Sequence, residues 1–238
     1  MNRAPPTIFD RQRACAKWQR ARERGGAAYL VETMVEDIAE RLAFIRIEAE
    51  QSLVIGDGSG VLAATRNAAL GELDEEQPLP RGQYDLIVHL LGLGMVNDLP
   101  GALIHARAAL RDGGLFIAAF PGAGSLPVLR QLALAADGDR PAARIHPQVD
   151  IRAGTALLER AGFARQVVDS YPLKVRFSSL DRIISDLRDH GLTASLASPA
   201  PPITRTGWQR ACEAFDALRE DDGKVTETFE ILVLTGWR

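Results

Sequence analysis

The sequence predicts an α/β protein in which a mostly parallel sheet lies between two helical layers. Three observations predict it. Short apolar runs at 53–55, 84–91 and 115–120 read as buried strands. Segments with helical spacing separate them, the alternation that covers both faces of a parallel sheet. Two late β-rich segments, 167–177 and 225–237, flank helical sequence and would pair antiparallel.

Composition bounds the rest. A chain of 238 residues, 46% apolar and 25% charged, makes one large domain or one with appendages. A net charge of -3 gives no field that draws nucleic acid or an anionic membrane. Cys15 and Cys212 form neither a disulfide framework nor a metal site and suit a reducing compartment. Met1 to Pro6 leads into charge without an apolar core, so no secretory signal is expected, and no apolar run approaches the ~20 residues of a membrane span. A cytoplasmic protein is the expectation.

The chain begins with an Arg/Lys/Gln-rich helix over 9–24, carrying Phe9, Ala14, Ala16 and Trp18 and broken by Gly25-Gly26. Over 28–45, Leu30, Met34, Ile38, Leu42 and Ile45 recur at helical steps and give a core-facing stripe. Leu53-Val54-Ile55 is the first strand, and Gly56, Gly58 and Gly60 follow it. Val61 to Asn67 can make about two helical turns. Strand, glycine turn and helix is a way to hold a nucleotide-type cofactor, because glycines let the backbone approach a ligand and the helix N-terminus offers free N–H groups. A tight turn without ligand satisfies the same pattern. Only residues 61–83 separate Gly60 from the next strand, too few for the two further strands and helices of a nucleotide-binding half. A strand and a helix of the usual layout are shortened or absent there, and 71–82 is a polar connection.

After the strand at 84–91 comes a loop to Pro100, with Asp98 as N-cap of a helix over 102–110. Residues 111–114 form its stop and turn, and 115–120 is the third strand. Helices are expected over 126–136, 151–161, 180–192 and 208–218, with Ser195 to Pro202 as a Ser/Ala/Pro linker.

These pieces together resemble the class I S-adenosylmethionine-dependent methyltransferases. The nearest branch contains the malonyl-carrier-protein methyltransferase of biotin synthesis and the methyltransferase-like complex I assembly factors. Leu53 to Gly60 looks like the fold's first motif. Leu73-Asp74-Glu75-Glu76 followed by Tyr84 to Val88 is similar to its acidic loop and fourth strand. Val96 to Leu103, Leu110 to Phe116, and Asp150-Ile151-Arg152 with Leu157 to Phe163 match in order and spacing. The resemblance covers about residue 28 to the end; its specificity lies in the order of motifs.

The resemblance implies a Rossmann-like three-layer sandwich of seven strands with a terminal antiparallel hairpin. Residues 1–50 would be an N-terminal helical segment, 51–177 the core, 178–223 a helical insertion near the substrate side, and 224–238 the closing strand. It implies S-adenosylmethionine as cofactor, with Gly56, Asp57, Gly58, Gly60, Asp74, Glu75 and Leu90 binding it and the acidic pair meeting the adenine amino group. The acceptor would be a small molecule or a protein, and the insertion could take a protein partner. The chain departs from the family at three places. Val54 stands where the family has an acid, the second-strand acid has no counterpart beyond Glu72, and Gly94-Met95 replaces an aromatic or histidine pair.

The remaining polar residues divide between site and scaffold. His89 in an apolar strand reads as a core histidine before a base. His105 sits on a helix. His146 could approach a substrate pocket, though a solvated loop is the commoner setting. Arg144, His146, Asp150 and Arg152 form a polar cluster that either binds an acidic group or pairs at the surface. Tyr29 lies over a pocket or in the core. Three functions follow: methyl transfer from S-adenosylmethionine, a catalytically degenerate fold used for assembly or partner binding, and, from the assembly-factor likeness alone, a protein-modifying enzyme of the arginine-hydroxylase kind. No iron triad is seen in support of the last.

Overall fold

The computed structural model describes residues 7–238, so the reading of Met1 to Pro6 lies outside the described residues. Helix α1 (Arg11–Arg24) starts where the Asp10 carboxylate accepts the Arg13 N–H, and ends at Gly25 in the left-handed region. It buries Ala14 and Trp18. Helix α2 (Tyr29–Ile45) buries Leu30, Met34, Val35 and Ile38, the stripe its spacing predicts.

The sheet has six strands in the order β2-β1-β3-β4-β6-β5. They are β1 (Ser52–Ile55), β2 (Arg66–Ala68), β3 (Tyr84–Leu90), β4 (Leu110–Pro121), β5 (Ala164–Phe177) and β6 (Val225–Trp237). β1 pairs parallel with β2 and β3, and β3 with β4, whereas β6 runs antiparallel to both β4 and β5. Pairing of Ile55 with His89 and Leu90 with Ala119 brings the C-terminal ends of β1, β3 and β4 to one edge. Helices α3 (Leu99–Ala109), α4 (Pro127–Asp137) and α5 (Ile151–Ala161) connect the later strands. Asp98 caps α3 as expected, its carboxylate accepting from Gly101 N–H. Residues 111–114, expected as a turn, lie inside β4 as an irregularity, with Tyr84 opposite Leu110 and Leu86 opposite Leu115.

The stretch after β1 differs from expectation. No helix forms over Val61–Asn67, and the chain instead returns as the short strand β2 beside β1. Ser52 and Thr65 explain the return: Ser52 N–H donates to Thr65 Oγ1, Thr65 N–H to Ser52 Oγ, and Thr65 Oγ1–H to Ser52 O. These bonds hold residues 56–65 in a crossover too short for a helix. The resemblance's seven strands are six among the described residues, and the shortened element is β2.

Two helices, α6 (Leu180–Asp189) and α7 (Arg205–Asp216), stand between β5 and β6. They are capped by the hydroxyls of Ser179 and Thr204. α7 packs on α4: a Cβ at Gly207 would lie 2.5 Å from Ala136 O, and Arg210 Nη2–H donates to that carbonyl at 2.6 Å. The insertion therefore covers the edge where β3 and β4 end. No helix among the described residues is long and apolar enough to cross a membrane.

Candidate functional site

The glycine turn binds itself. The Asp57 carboxylate, largely buried, accepts from the N–H groups of Ser59 (2.8 Å), Gly60 (3.3 Å) and Leu62 (3.1 Å), and from the Ser59 hydroxyl. Such a turn gives the backbone an alternative to a helix start, which is the physical reason residues 61–65 are not helical. Gly56 has φ +91°, and a Cβ there would lie 2.8 Å from Leu90 O. Leu90 thus meets the turn through its carbonyl while its side chain is in the core. Around Gly58 and Gly60 a Cβ would meet nothing within 4 Å.

Leu70 fills the groove beside the turn. Its Cδ2 lies 3.3 Å from the Cβ position of Gly56 and 2.9 Å from that of Gly92. Helix α1 holds it there from above. Arg22 Nη1–H donates to Leu70 O at 3.0 Å, Arg11 donates to Leu73 O, and Cys15 Sγ packs 2.9 Å from the Cβ position of Gly71. Glu75 is turned inward: Arg11 Nη1 donates to its Oε2 at 2.7 Å, and His89 Nε2 stands 3.2 Å from its Oε1. Burial alone would push this carboxyl up, but the hydrogen bonds and charge of His89 and Arg11 override it and hold it down at about 2. Asp74 keeps partial exposure, 3.5 Å from Arg11. His89 is a core residue, bonded through one nitrogen, with Nδ1 unpartnered among the described residues. No acid ends β2 at Ala68-Ala69; Glu72 comes nearest, accepting the Ala69 N–H at 3.0 Å.

S-adenosylmethionine does not fit these residues as they stand. The N–H groups of Ser59, Gly60 and Leu62 are bound to Asp57, no helix N-terminus follows, and Leu70, held by α1, packs beside Gly56 and Gly92. The surface at Gly58 and Gly60 is open, but the cradle around it is not.

A cavity of about 330 Å³ opens farther along the same edge. Leu91, Gly94 and Met95 after β3, and Pro121 at the end of β4, form its floor. Leu129 and Leu132 of α4, Leu187 of α6, Trp208 of α7 and Phe229 of β6 form its walls. Gly94 and Met95, singled out for the aromatic pair they replace, leave this floor open. The polar cluster divides here. Arg144 and His146 line the cavity, whereas Asp150 caps α5 and stands with Arg152 at a separate cleft. His146 is not the solvated loop histidine of the commoner case: Ser195 N–H donates to its Nε2 at 2.7 Å, and burial, helped by the Lys17 charge, pushes it down to about 4. Tyr29 packs edge-on against His190 and Phe229, behind the cavity wall. His105 lines a void of about 30 Å³ with Asp74, Glu75 and His89.

Sequence reading missed Leu70, Asp137, Trp208 and Phe229. Leu129, Leu132, Ala133 and Ala136 make a single apolar helical stripe, which core packing explains equally well, so the sequence carried no separate signal for the cavity. No group of three or more His, Cys, Asp or Glu among the described residues could hold a metal ion.

A family model described as a methyltransferase domain matches residues 13–167. The human protein named arginine-hydroxylase NDUFAF5, mitochondrial, is 28% identical over 97% of this chain and 77% of its own length. The malonyl-[acyl-carrier protein] O-methyltransferase of Laribacter hongkongensis is 30% identical over 69% of this chain and 54% of its own length. Among solved structures, a methyltransferase candidate from Bacillus halodurans C-125 superposes with a TM-score of 0.54 at 12% identity, covering 85% of this chain and 98% of that one. That likeness is one of fold.

Proposed function

Because the chain belongs to the methyltransferase-domain family and has the fold of S-adenosylmethionine-dependent methyltransferases, we propose that it holds an acceptor-type molecule in the cavity of about 330 Å³, with its cofactor groove shut in the conformation described. The observation that carries this reading is the place of the cavity. It lies outside the carboxyl ends of β3 and β4, where open α/β sheets bind their ligands. Leu187 of α6 and Trp208 of α7 form part of its walls, and the cavity stays partly open to solvent. Function on this reading is acceptor binding, alone or toward a partner protein that presents the acceptor.

Methyl transfer from S-adenosylmethionine is the second reading. Family membership and the open surface at Gly58 and Gly60 favour it. It requires Leu70 and α1 to leave the groove. Methyl transfer asks little of side chains beyond alignment in a dry pocket, which the cavity walls would supply. Of the relatives' names, one offers a methyl acceptor, a malonyl group on an acyl-carrier protein; the arginine in the other is named for hydroxylation.

Isothermal titration with S-adenosylmethionine and S-adenosylhomocysteine separates the readings. The expected result is no binding at millimolar ligand to a protein shown to be folded. Micromolar binding that disappears in Gly58→Val would overturn the binding-only reading and make transfer the function.

A further inference from the structure

On the reading that the cavity is a ligand site, we infer that it takes an uncharged apolar chain bearing a hydrogen-bond acceptor, the chemistry of an ester or thioester carbonyl, and that His146 binds that acceptor. The charge on the walls argues first. Among the described residues no Asp or Glu lines the cavity, so a guanidinium or amine would enter without a counter-charge there. Each cation that lines it is already compensated. Arg144 donates through Nε (2.8 Å) and Nη2 to one oxygen of the nearly buried Asp137. Arg13 stands 3.3 Å from Asp10 and donates to Leu196 O at 2.7 Å. Nearby Lys17 donates to the carbonyls of Thr193 and Ala194. A carboxylate would have to draw one of them away from its partner.

The histidine argues second. Its Nε2 accepts from Ser195 N–H, so that nitrogen carries no proton. The ring, held neutral by burial, then carries its proton on Nδ1, for which no partner exists among the described residues. Ser195 and the edge-on Phe9 ring, 5.4 Å away, fix its orientation. His146 thus brings an unpartnered donor to the cavity lining. The Gln148 amide is engaged by Arg130 and Ser125, and Thr193 adds a neutral hydroxyl.

The test uses the full chain and the Trp208 fluorescence, with Trp208→Phe as the signal control. Four probes of one chain length are titrated: methyl octanoate, octane, octanoate and octylamine. Methyl octanoate should bind about fivefold tighter than octane, the worth of one hydrogen bond, and about tenfold tighter than either charged probe. His146→Phe should erase the ester-over-alkane preference and leave alkane binding in place. Octanoate or octylamine binding as tightly as the ester overturns the inference, and the wild-type series alone decides this if the variant fails to fold. If no probe binds, and filling the cavity with Ala133→Phe changes nothing, the ligand-site reading itself has failed. Binding without preference sinks only the assignment of chemistry.

Discussion

Glu75 joins three parts of the molecule at one carboxylate: α1 through Arg11, β3 through His89, and the loop after β2. Burial opposes its ionisation, yet the hydrogen bonds from His89 and Arg11 and the Arg11 charge prevail and hold it at about 2 against an ordinary 4.5. A carboxyl depressed in the folded state contributes stability above its unfolded value, and that stability drains away as pH falls toward the folded value. The window is therefore about pH 4.5 down to about 2, and the contribution is at most about 3 kcal/mol. Glu75→Gln should lose about 1–3 kcal/mol at pH 7, because it leaves a guanidinium beside a neutral amide in a buried place. It should also lack the wild type's steep loss of stability across that window. Urea unfolding at pH 7, 5 and 3 measures both, and parallel pH slopes in the two proteins would show that Glu75 does not carry the effect.

At the scale of elements, the legible ones were those whose ends announce themselves. Asp98 caps the helix it was expected to cap, and Gly25 and Gly162 end two others in the left-handed region, whereas the cap Thr204 is missed and its helix is expected to start only at Trp208. The stretch after β1 was misread because seven residues of helix-forming composition nucleate poorly. Asp57 between two glycines, a turn former, took the N–H groups that a helix would have left open. The three-residue β2 has no periodicity to detect. The cavity was illegible for another reason: its walls come from segments far apart in sequence, and only Arg144, His146 and the Gly94-Met95 pair were marked beforehand. Docking of α1 is the element on which the shut groove depends. Arg11→Ala with Leu70→Ala removes the ion pair and the apolar seat together. Trypsin should then cleave within Arg11–Arg24 about tenfold faster than in the wild type, since local opening exposes its Arg and Lys peptide bonds. Unchanged protection would mean that Trp18, buried against Gly191, holds the helix without them.

At the scale of the whole molecule, the last strand is the keystone of the sheet. β6 lies between β4 and β5, pairing from Leu115 opposite Trp237 to Phe177 opposite Val225. Ile231, Leu232, Val233 and Leu234 are almost wholly buried. The same strand provides the buried Glu227, whose carboxylate accepts the N–H groups of Val128 and Leu129 at the start of α4. Ser125 and Glu230 bond each other twice beside it, Ser125 Oγ–H donating to Glu230 O and Glu230 N–H to Ser125 Oγ. Removing residues 225–238 would therefore strip a central strand rather than an edge. It would leave β4 and β5 with unpaired backbone and uncap a cavity-lining helix. Each buried aliphatic side chain lost with it is worth roughly 1.5–3 kcal/mol, so four of them approach the whole stability of a domain. The truncated chain should lose its cooperative thermal transition and bind a dye for exposed apolar surface, whereas trimming an edge such as β2 would only lower the midpoint. A truncated protein that still melts cooperatively, with near-native near-ultraviolet circular dichroism, would show that the sheet can close without its central antiparallel strand. The order of pairing implies the opposite: the sheet is completed only when the final residues arrive.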